Sequence, residues 1–352
     1  MKKKNSLILL VLLAIFSMVM VGCSSSAANS SDGNDKKIKL KVATYVAPTS
    51  PIYKYLTAPW MEKVTELTDG KVEFDVYPGE QLGKAHDMLQ LTQDKVTDIG
   101  IFPANYFPNN MPISNVIAGF PNLSTTSSQG TQAYNDLIQE NKDLLEIDYL
   151  KNGVRPIMTH VSPTYELWST SKEIRVPSDI KGLKLRTPGG VANEIYKSLG
   201  AVPVSVSHSE TYEALEKGVI EAASYSSVAV DASGTKDLLK TSMFIHLGTA
   251  IHGIVINESV WQGLPEDVQK AMMDAGQEIV KSSGEKYDID TDAFNTEFAK
   301  EASIVELSEQ EQKEWEKEFN ASSEQWLKDH QSDGLPYEEV LNSYKGNLKK
   351  YQ

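Results

Sequence analysis

The chain has a single cysteine, Cys23, which excludes a disulfide framework and thiolate chemistry. An ordinary apolar core must hold it together. Arginine is nearly as scarce. Arg155, Arg175 and Arg186 are the only three, all within one 32-residue window, and lysine supplies the other 31 basic side chains. Acids outnumber bases 48 to 34, for a formal net charge of −14. Such a surface argues against nucleic acid as a partner, and a small anion would need a local positive pocket within an unfavourable global field. Signatures of catalysis are missing too. There is no Gly-x-Ser-x-Gly, phosphate-binding loop or His-Glu-x-x-His. Asp288, Asp290 and Asp292 begin like a calcium loop, but Ala293 and Ala299 occupy the positions where that loop needs glycine and glutamate, so the triplet reads as a solvated helix face. Ser169-Thr-Ser-Lys172 and Ser283-Gly-Glu-Lys286 lack the companion motifs of the penicillin-binding enzymes. The six histidines are scattered, and His246 and His252 read as structural. No metal, no cofactor and no enzymatic activity are expected.

Long apolar runs are also absent. The longest, residues 7–21, is broken by Ser17 and falls short of the ~20 residues that span a bilayer. It follows Lys2, Lys3 and Lys4 and leads to Met20-Val-Gly-Cys23, then a serine-rich stretch. A basic start, a short apolar core and small residues before a cleavage point describe a secretory signal over 1–22. A cysteine directly after that point describes a lipobox, with Cys23 lipidated as the mature N-terminus and residues 23–36 as a flexible tether. Without the three leading lysines the formal charge is −17.

What the chain does have is concentrated in residues 181–223. Leu183 to Arg186 alternates like a short strand and breaks at Thr187-Pro-Gly-Gly190. Val191, Ile195 and Leu199 then mark a helix that stops at Gly200, and residues 202–206 read as a second strand. Ser207 and Glu210 have capping-box spacing before a helix that ends at Gly218. The unit is strand–helix–strand–helix, with Arg186 where the first strand runs out. In open α/β sheets, ligands bind beyond the carboxyl ends of strands. Arginine forks onto a carboxylate through two parallel hydrogen bonds. Taken alone, Arg186 reads better as a partly solvated structural residue that pairs with a local acid.

Three motifs lift that ambiguity. Asp179-Ile-Lys-Gly-Leu-Lys-Leu-Arg186-Thr-Pro-Gly-Gly, Leu199-Gly-Ala-Val-Pro-Val204 and Ser209-Glu-Thr-Tyr-Glu-Ala-Leu-Glu-Lys-Gly218 together resemble the signature of TRAP-transporter solute-binding proteins. Tyr77-Pro-Gly-Glu-Gln-Leu-Gly83 and Asp98-Ile-Gly100 are also similar to that family, and the resemblance covers residues 39–344. It implies a two-lobed α/β fold of the periplasmic-binding-protein type II kind, with a hinge. It implies that Arg186 binds the carboxylate of an organic acid, and that the partner is a membrane permease driven by an ion gradient. One departure is plain. Where the family often carries an asparagine that helps hold the carboxylate, this chain has Tyr225. Near Glu166, some members carry an added basic group; an acid there would repel a second negative charge, which favours a monocarboxylate, or a ligand with a neutral or cationic remainder, unless Glu166 pairs with Arg155 or Arg175 instead.

The remaining elements follow in order. Strands over 38–46, 72–77 and 98–102 alternate with helices over 53–67 and 88–96, an order that favours a mostly parallel sheet. By the strand-end rule, Tyr45, Phe102 and Tyr106 are candidate walls of the site. Residues 154–160 and 249–256 read as strands that cross between lobes; Tyr165 and Glu166 follow the first crossing, and Tyr225 ends a strand of the second lobe. A helix from Pro265, striped by Val268, Met272, Ala275 and Ile279, is long enough to back both lobes, with Gly276 and Gly284 as weak points. Helices over 308–327 and 336–344 end the chain. The expected division is 37–160 with 251–290 as lobe I, and 161–250 with 291–352 as lobe II. The expectation is therefore a lipid-anchored, monomeric receptor that captures a small organic acid through Arg186, Tyr225, Tyr165, Glu166, Phe102, Tyr106 and Tyr45. A receptor for an ATP-driven importer or a sensor is the alternative, and a tethered hydrolase is the weaker one.

Overall fold

A computed structural model describes residues 37–352. The signal, Cys23 and the tether lie outside the described residues. The strands are β1 (Ile38–Thr44), β2 (Val72–Tyr77), β3 (Ile99–Pro103), β4 (Val154–Val161), β5 (Glu166–Ser169), β6 (Lys184–Thr187), β7 (Val202–Ser205), β8 (Ala222–Tyr225), β9 (Thr241–Met243), β10 (Ile251–Asn257) and β11 (Ser303–Ile304). They form two sheets, ordered β2-β1-β3-β10-β4 and β11-β9-β5-β8-β6-β7. In the first, β1 runs parallel to β2 and β3, as the alternating strand–helix order requires, while β10 enters antiparallel between β3 and β4. In the second, β6 is parallel to β7 and β8, and β5 is antiparallel to β8 and β9. Each sheet carries a lobe.

Besides the passages of the chain before β11 and before the C-terminal helix, two extended crossings join the lobes, one between β4 and β5 and the other between β9 and β10. They hold each other: Ser162 N–H donates to Ala250 O at 2.8 Å, Tyr165 N–H to Gly248 O at 2.7 Å, and Leu247 N–H to Tyr165 O at 2.7 Å. Few segments joining two rigid bodies are what a hinge motion needs.

The helices that frame the lobes are α1 (Ala58–Leu67), α2 (Pro112–Gly119), α3 (Ser127–Glu140), α4 (Val191–Ser198), α5 (Thr211–Glu216), α6 (Ser227–Ala232), α7 (Glu266–Phe298), α8 (Glu309–Asp329) and α9 (Tyr337–Leu348). Helix α7 is unbroken for 33 residues, roughly 50 Å at 1.5 Å per residue. Val268, Met272, Ala275 and Ile279 are buried as the stripe predicts. Trp60 of α1 donates its indole N–H to Met272 O at 3.2 Å. At the far end, Phe294 and Phe298 pack edge-on against Trp168 of β5, at 5.9 and 5.0 Å between ring centroids. One helix therefore contributes to both lobes' cores.

Gly276 and Gly284 do not break α7. They are points of close approach. A Cβ on Gly284 would sit 2.4 Å from Ser128 Cα, and one on Gly276 would sit 3.0 Å from Ile157 O. The acidic triplet is also more than a solvated face. Asp288 accepts from Ser127 N–H at 2.7 Å and Ser128 N–H at 3.0 Å at the start of α3, and Asp290 accepts from the Tyr55 hydroxyl at 2.7 Å. Helices α2 and α3 have no counterpart in the sequence reading. Each carries a short apolar stripe, Ile113, Val116 and Ile117 in α2 and Ala133, Tyr134 and Leu137 in α3, and also buries polar residues, among them Ser114, Asn115, Ser127, Gln129 and Thr131. The last helix, α9, packs on α2 and α3, and Tyr351 and Lys350 bond to Asp136 and Glu140 of α3. The C-terminal residues from 337 on thus sit with the first sheet, not the second. At residues 207–210 the predicted N-cap shifts: α5 begins at Thr211, and Ser207 Oγ donates to Glu210 Oε2 at 2.6 Å.

Candidate functional site

The strand–helix–strand–helix unit folds as β6–α4–β7–α5, and Gly190, at φ +58°, makes the sharp turn out of β6. A Cβ there would meet Asn115 Oδ1 of α2 at 2.1 Å, so glycine lets this loop seat against the other lobe. Arg186 stands one residue before the end of β6 with only 1% of its surface exposed. Its guanidinium Nε donates to Val206 O and its Nη1 to Ser224 O, both at 3.0 Å. These two bonds consume two of five N–H groups and leave three, one on Nη1 and both on Nη2. The guanidinium carbon lies 4.4 Å from the centroid of the Tyr225 ring, and the Tyr165 hydroxyl is within hydrogen-bonding reach. Tyr225 is itself positioned by Trp168, whose indole N–H donates to Tyr225 O at 2.7 Å.

Arg186, Tyr225, Tyr165, Tyr106 and Tyr45 line one cavity of about 50 Å³. That is several times the ~10–15 Å³ that admits one water. Both lobes contribute walls: Tyr45 and Tyr106 follow β1 and β3, and the others come from the second sheet and the crossing before it. Across the mouth the lobes touch. His208 N–H donates to the Tyr106 hydroxyl at 3.0 Å, Ser209 Oγ to Glu80 Oε1 at 3.4 Å, and Lys84 Nζ lies 3.6 Å from Glu210.

Two of the expected wall residues are elsewhere. Phe102 is buried edge-on against Phe107, 5.0 Å between centroids, because its β3 position points into the first core. Glu166 is held at the crossing between lobes. It accepts from Ile245 N–H at 2.6 Å, His246 N–H at 2.9 Å and the Thr164 hydroxyl at 2.5 Å, and pairs with His246 Nδ1 at 3.0 Å. That bond raises the imidazole's pKa above its ordinary value. The repulsion argument built on Glu166 therefore loses its premise: its charge is spent on the hinge. The other two arginines pair locally, Arg155 with Glu258 and Arg175 with Glu311, each at 2.7 Å.

Sequence reasoning missed His208, His252 and Tyr287, which also line the cavity. His208 follows β7, so the strand-end rule had the means to flag it. His252 and Tyr287 arrive from β10 and α7, for which no local signal exists. Burial, with the charge of Arg186, lowers the pKa of His208 to about 4, and burial lowers that of His252 to about 3. Burial pushes Tyr165 up to about 12 and Tyr45, Tyr225 and Tyr287 upward as well. At neutral pH these groups are all uncharged. Arg186 is then the one full charge lining the cavity, and among the described residues no carboxylate pairs with it. A buried ion carries a desolvation penalty of several kcal/mol unless paired, so the arrangement is built to receive an anion.

Residues 42–329 match the family described as bacterial extracellular solute-binding protein, family 7, or DctP. The chain is 26% identical over 304 residues to the C4-dicarboxylate-binding periplasmic protein DctP of Rhodobacter capsulatus, covering 79% of this chain and 83% of that one. Against the 2,3-diketo-L-gulonate-binding periplasmic protein YiaO of Escherichia coli it is 24% identical over 221 residues, 60% of this chain but 64% of YiaO, just under two thirds. In structure it resembles a TRAP solute-binding protein from Rhodoferax ferrireducens in complex with copurified benzoate, with TM-score 0.81, 23% identity, and 89% and 98% of the two chains covered. A TRAP periplasmic solute-binding protein from Bordetella bronchiseptica with bound mandelate gives TM-score 0.81 at 21% identity, covering 90% and 100%. The two-sheet, two-lobed architecture with a long shared helix is that of these proteins.

Proposed function

The chain belongs to the DctP family of bacterial extracellular solute-binding proteins, the non-enzymatic receptors of TRAP transporters, and from that premise we propose that it captures a small monocarboxylic acid between its lobes and delivers it to a TRAP-type permease. The observation that carries this reading is the buried Arg186 guanidinium, which lines the cavity without a protein carboxylate beside it. The acid's two oxygens take the N–H groups that Val206 and Ser224 leave over, and Tyr165 adds a hydroxyl. Tyr225 stacks on the guanidinium and holds its plane. One cation, with His208 and His252 held uncharged beside it, favours one carboxylate over two. Benzoate and mandelate in the structural relatives support a monocarboxylate, while the C4-dicarboxylate of the Rhodobacter relative marks the competing class.

A ligand bound only by the folded, closed form stabilises it by about 2.7 kcal/mol at a hundred times its Kd. A thermal-shift panel should therefore show melting temperature rising with monocarboxylate concentration and not with matched amides or alcohols. Equal response to the amides would sink the carboxylate assignment. The contacts Tyr106–His208, Glu80–Ser209 and Lys84–Glu210 are the ones that closure forms across the mouth and release opens.

The protein acts outside the cytoplasm, as its family does, and among the described residues no helix is long and apolar enough to cross a membrane. Anchoring is assigned to Cys23 through the lipobox reading of Met20-Val-Gly-Cys23. Cys23→Ser is expected to move the protein from the membrane fraction to the soluble fraction and to abolish incorporation of labelled palmitate. Labelling that persists in this variant would rule out Cys23 as the lipid site.

A further inference from the structure

Arg186 holds a loop as well as a cavity wall. Its Nε donates to the carbonyl of Val206, the first residue after β7, and its guanidinium lies over the Tyr225 ring. The hydroxyl of that same ring is bonded to His208 Nδ1. The arginine therefore grips residues 206–208 twice, once through the main chain and once through a tyrosine. The loop is braced within itself. Ser207 Oγ donates to Glu210 Oε2 at 2.6 Å, and Thr211 Oγ1 donates to Ser207 O at 2.7 Å. Braced in this way, residues 206–210 respond as one piece.

The far side of the loop meets the other lobe. His208 N–H donates to the Tyr106 hydroxyl at 3.0 Å, and the Tyr106 ring stacks on His86, 4.4 Å between centroids. Ser209 Oγ and Glu210 reach Glu80 and Lys84. His208 lines both the inner cavity and a groove of about 460 Å³ outside it, so it stands in the wall between the two.

Resting on the carboxylate reading above, we propose that His208 is a positioning residue that couples occupancy of the Arg186 site to closure of the lobes. Through Tyr225 it ties loop 206–210 to the guanidinium, and through its own backbone N–H it ties the same loop to Tyr106 across the mouth. An anion on the remaining N–H groups of Arg186 fixes the guanidinium plane, hence the Tyr225 ring, hence the hydroxyl that His208 Nδ1 meets. The loop is then held where its N–H reaches Tyr106. Without the anion, the root of this chain is an unpaired, desolvated charge, which favours opening to water. A ligand shifts the lobes only through contacts that differ between the open and closed forms, and this chain of contacts supplies such a difference. At pH 7 the imidazole is neutral, so it adds no second cation and acts by hydrogen bonding.

The test is stopped-flow kinetics on the whole mature protein, read by the fluorescence of Trp168, whose indole N–H donates to Tyr225 O. Acetate, butyrate, hexanoate, benzoate and mandelate are first compared by thermal shift, and the acid with the largest shift in the wild type serves as the probe. His208→Ala should release it about tenfold faster, with an association rate within about twofold of wild type. His208→Asn sets an amide where Nδ1 stands and should bring release back to within about threefold of wild type. His208→Leu fills the space without a polar atom and should behave like the alanine variant. Tyr106→Phe removes the hydroxyl that accepts from His208 N–H and should also speed release. As links of one chain, Tyr106→Phe and His208→Ala together should exceed the faster single variant by no more than about twofold. Release by His208→Ala at the wild-type rate, a loss carried by association alone, recovery by leucine as well as asparagine, or fully additive effects would each overturn the coupling and leave the carboxylate reading intact. If no acid shifts the melting temperature of the wild type, or if Arg186→Ala binds the probe unchanged, the carboxylate reading falls and takes this one with it.

Discussion

Arg186→Ala is expected to lose between about thirty-fold and several thousand-fold in affinity for the bound acid, the equivalent of the ~2–5 kcal/mol that follows loss of one partner of a desolvated charge pair. The basis is geometric. The guanidinium is fixed by Val206 O and Ser224 O at 3.0 Å each and by the Tyr225 ring beneath it, so its remaining N–H groups are oriented before a ligand arrives. Arg186→Lys should fail nearly as badly. A lysine ammonium is a compact charge that cannot hold two backbone carbonyls and fork onto a carboxylate at once. Titration calorimetry decides the matter, with denaturant unfolding as a check that the variants fold. Calorimetric binding by Arg186→Ala at wild-type affinity would show that the acid sits elsewhere. The same substitutions made at Arg155 or Arg175 should leave affinity alone, since their side chains are committed to Glu258 and Glu311.

Gly284→Ala is expected to destabilise the protein by about 1–3 kcal/mol, the usual range for overpacking. Intrinsic preference predicts the opposite sign, since alanine is favoured over glycine by ~1 kcal/mol inside a helix. At this position the added Cβ would meet Ser128 Cα at 2.4 Å and Ser128 N at 2.8 Å. Those are backbone atoms at the start of α3, and Asp288, one turn further along α7, ties that start down by accepting from Ser127 and Ser128. The neighbour therefore cannot step aside. Gly346→Ala supplies the contrast. It lies in α9 with no atom within 4 Å of a built Cβ, and should gain up to about 1 kcal/mol. Paired unfolding curves test both signs. A Gly284→Ala protein as stable as wild type would mean that α3 and α7 do not approach as closely as described.

Legibility in the sequence followed the range of the interaction. The β6–α4–β7–α5 unit was readable because each signal acts within a few residues: alternation in Leu183 to Arg186, the spacing of Val191 and Ile195, the left-handed Gly200 and Gly218 at φ +94° and +67°. The stripe of α7 was readable for the same reason. Helices α2 and α3 were passed over: each has a short apolar stripe, Ile113, Val116 and Ile117 or Ala133, Tyr134 and Leu137, but serine, asparagine, glutamine and threonine are buried around it. Those residues are satisfied by partners far along the chain, such as Ser114 by Asp148 and Thr131 by Val161 O. Glu166 was misassigned on similar grounds. Its partners, the backbone N–H groups of Ile245 and His246, are about 80 residues away in the chain.

The sequence by itself determined the family, the α/β layering and the placement of a lone arginine at a strand end, since period, capping and strand termini are local properties of the chain. Only the tertiary structure decided what that arginine faces. The antiparallel insertion of β10 between β3 and β4 brings His252 to the cavity, and α7, running behind both lobes, brings Tyr287. Neither position carries a local mark, because the free energy that places each side chain comes from packing between elements far apart in the chain.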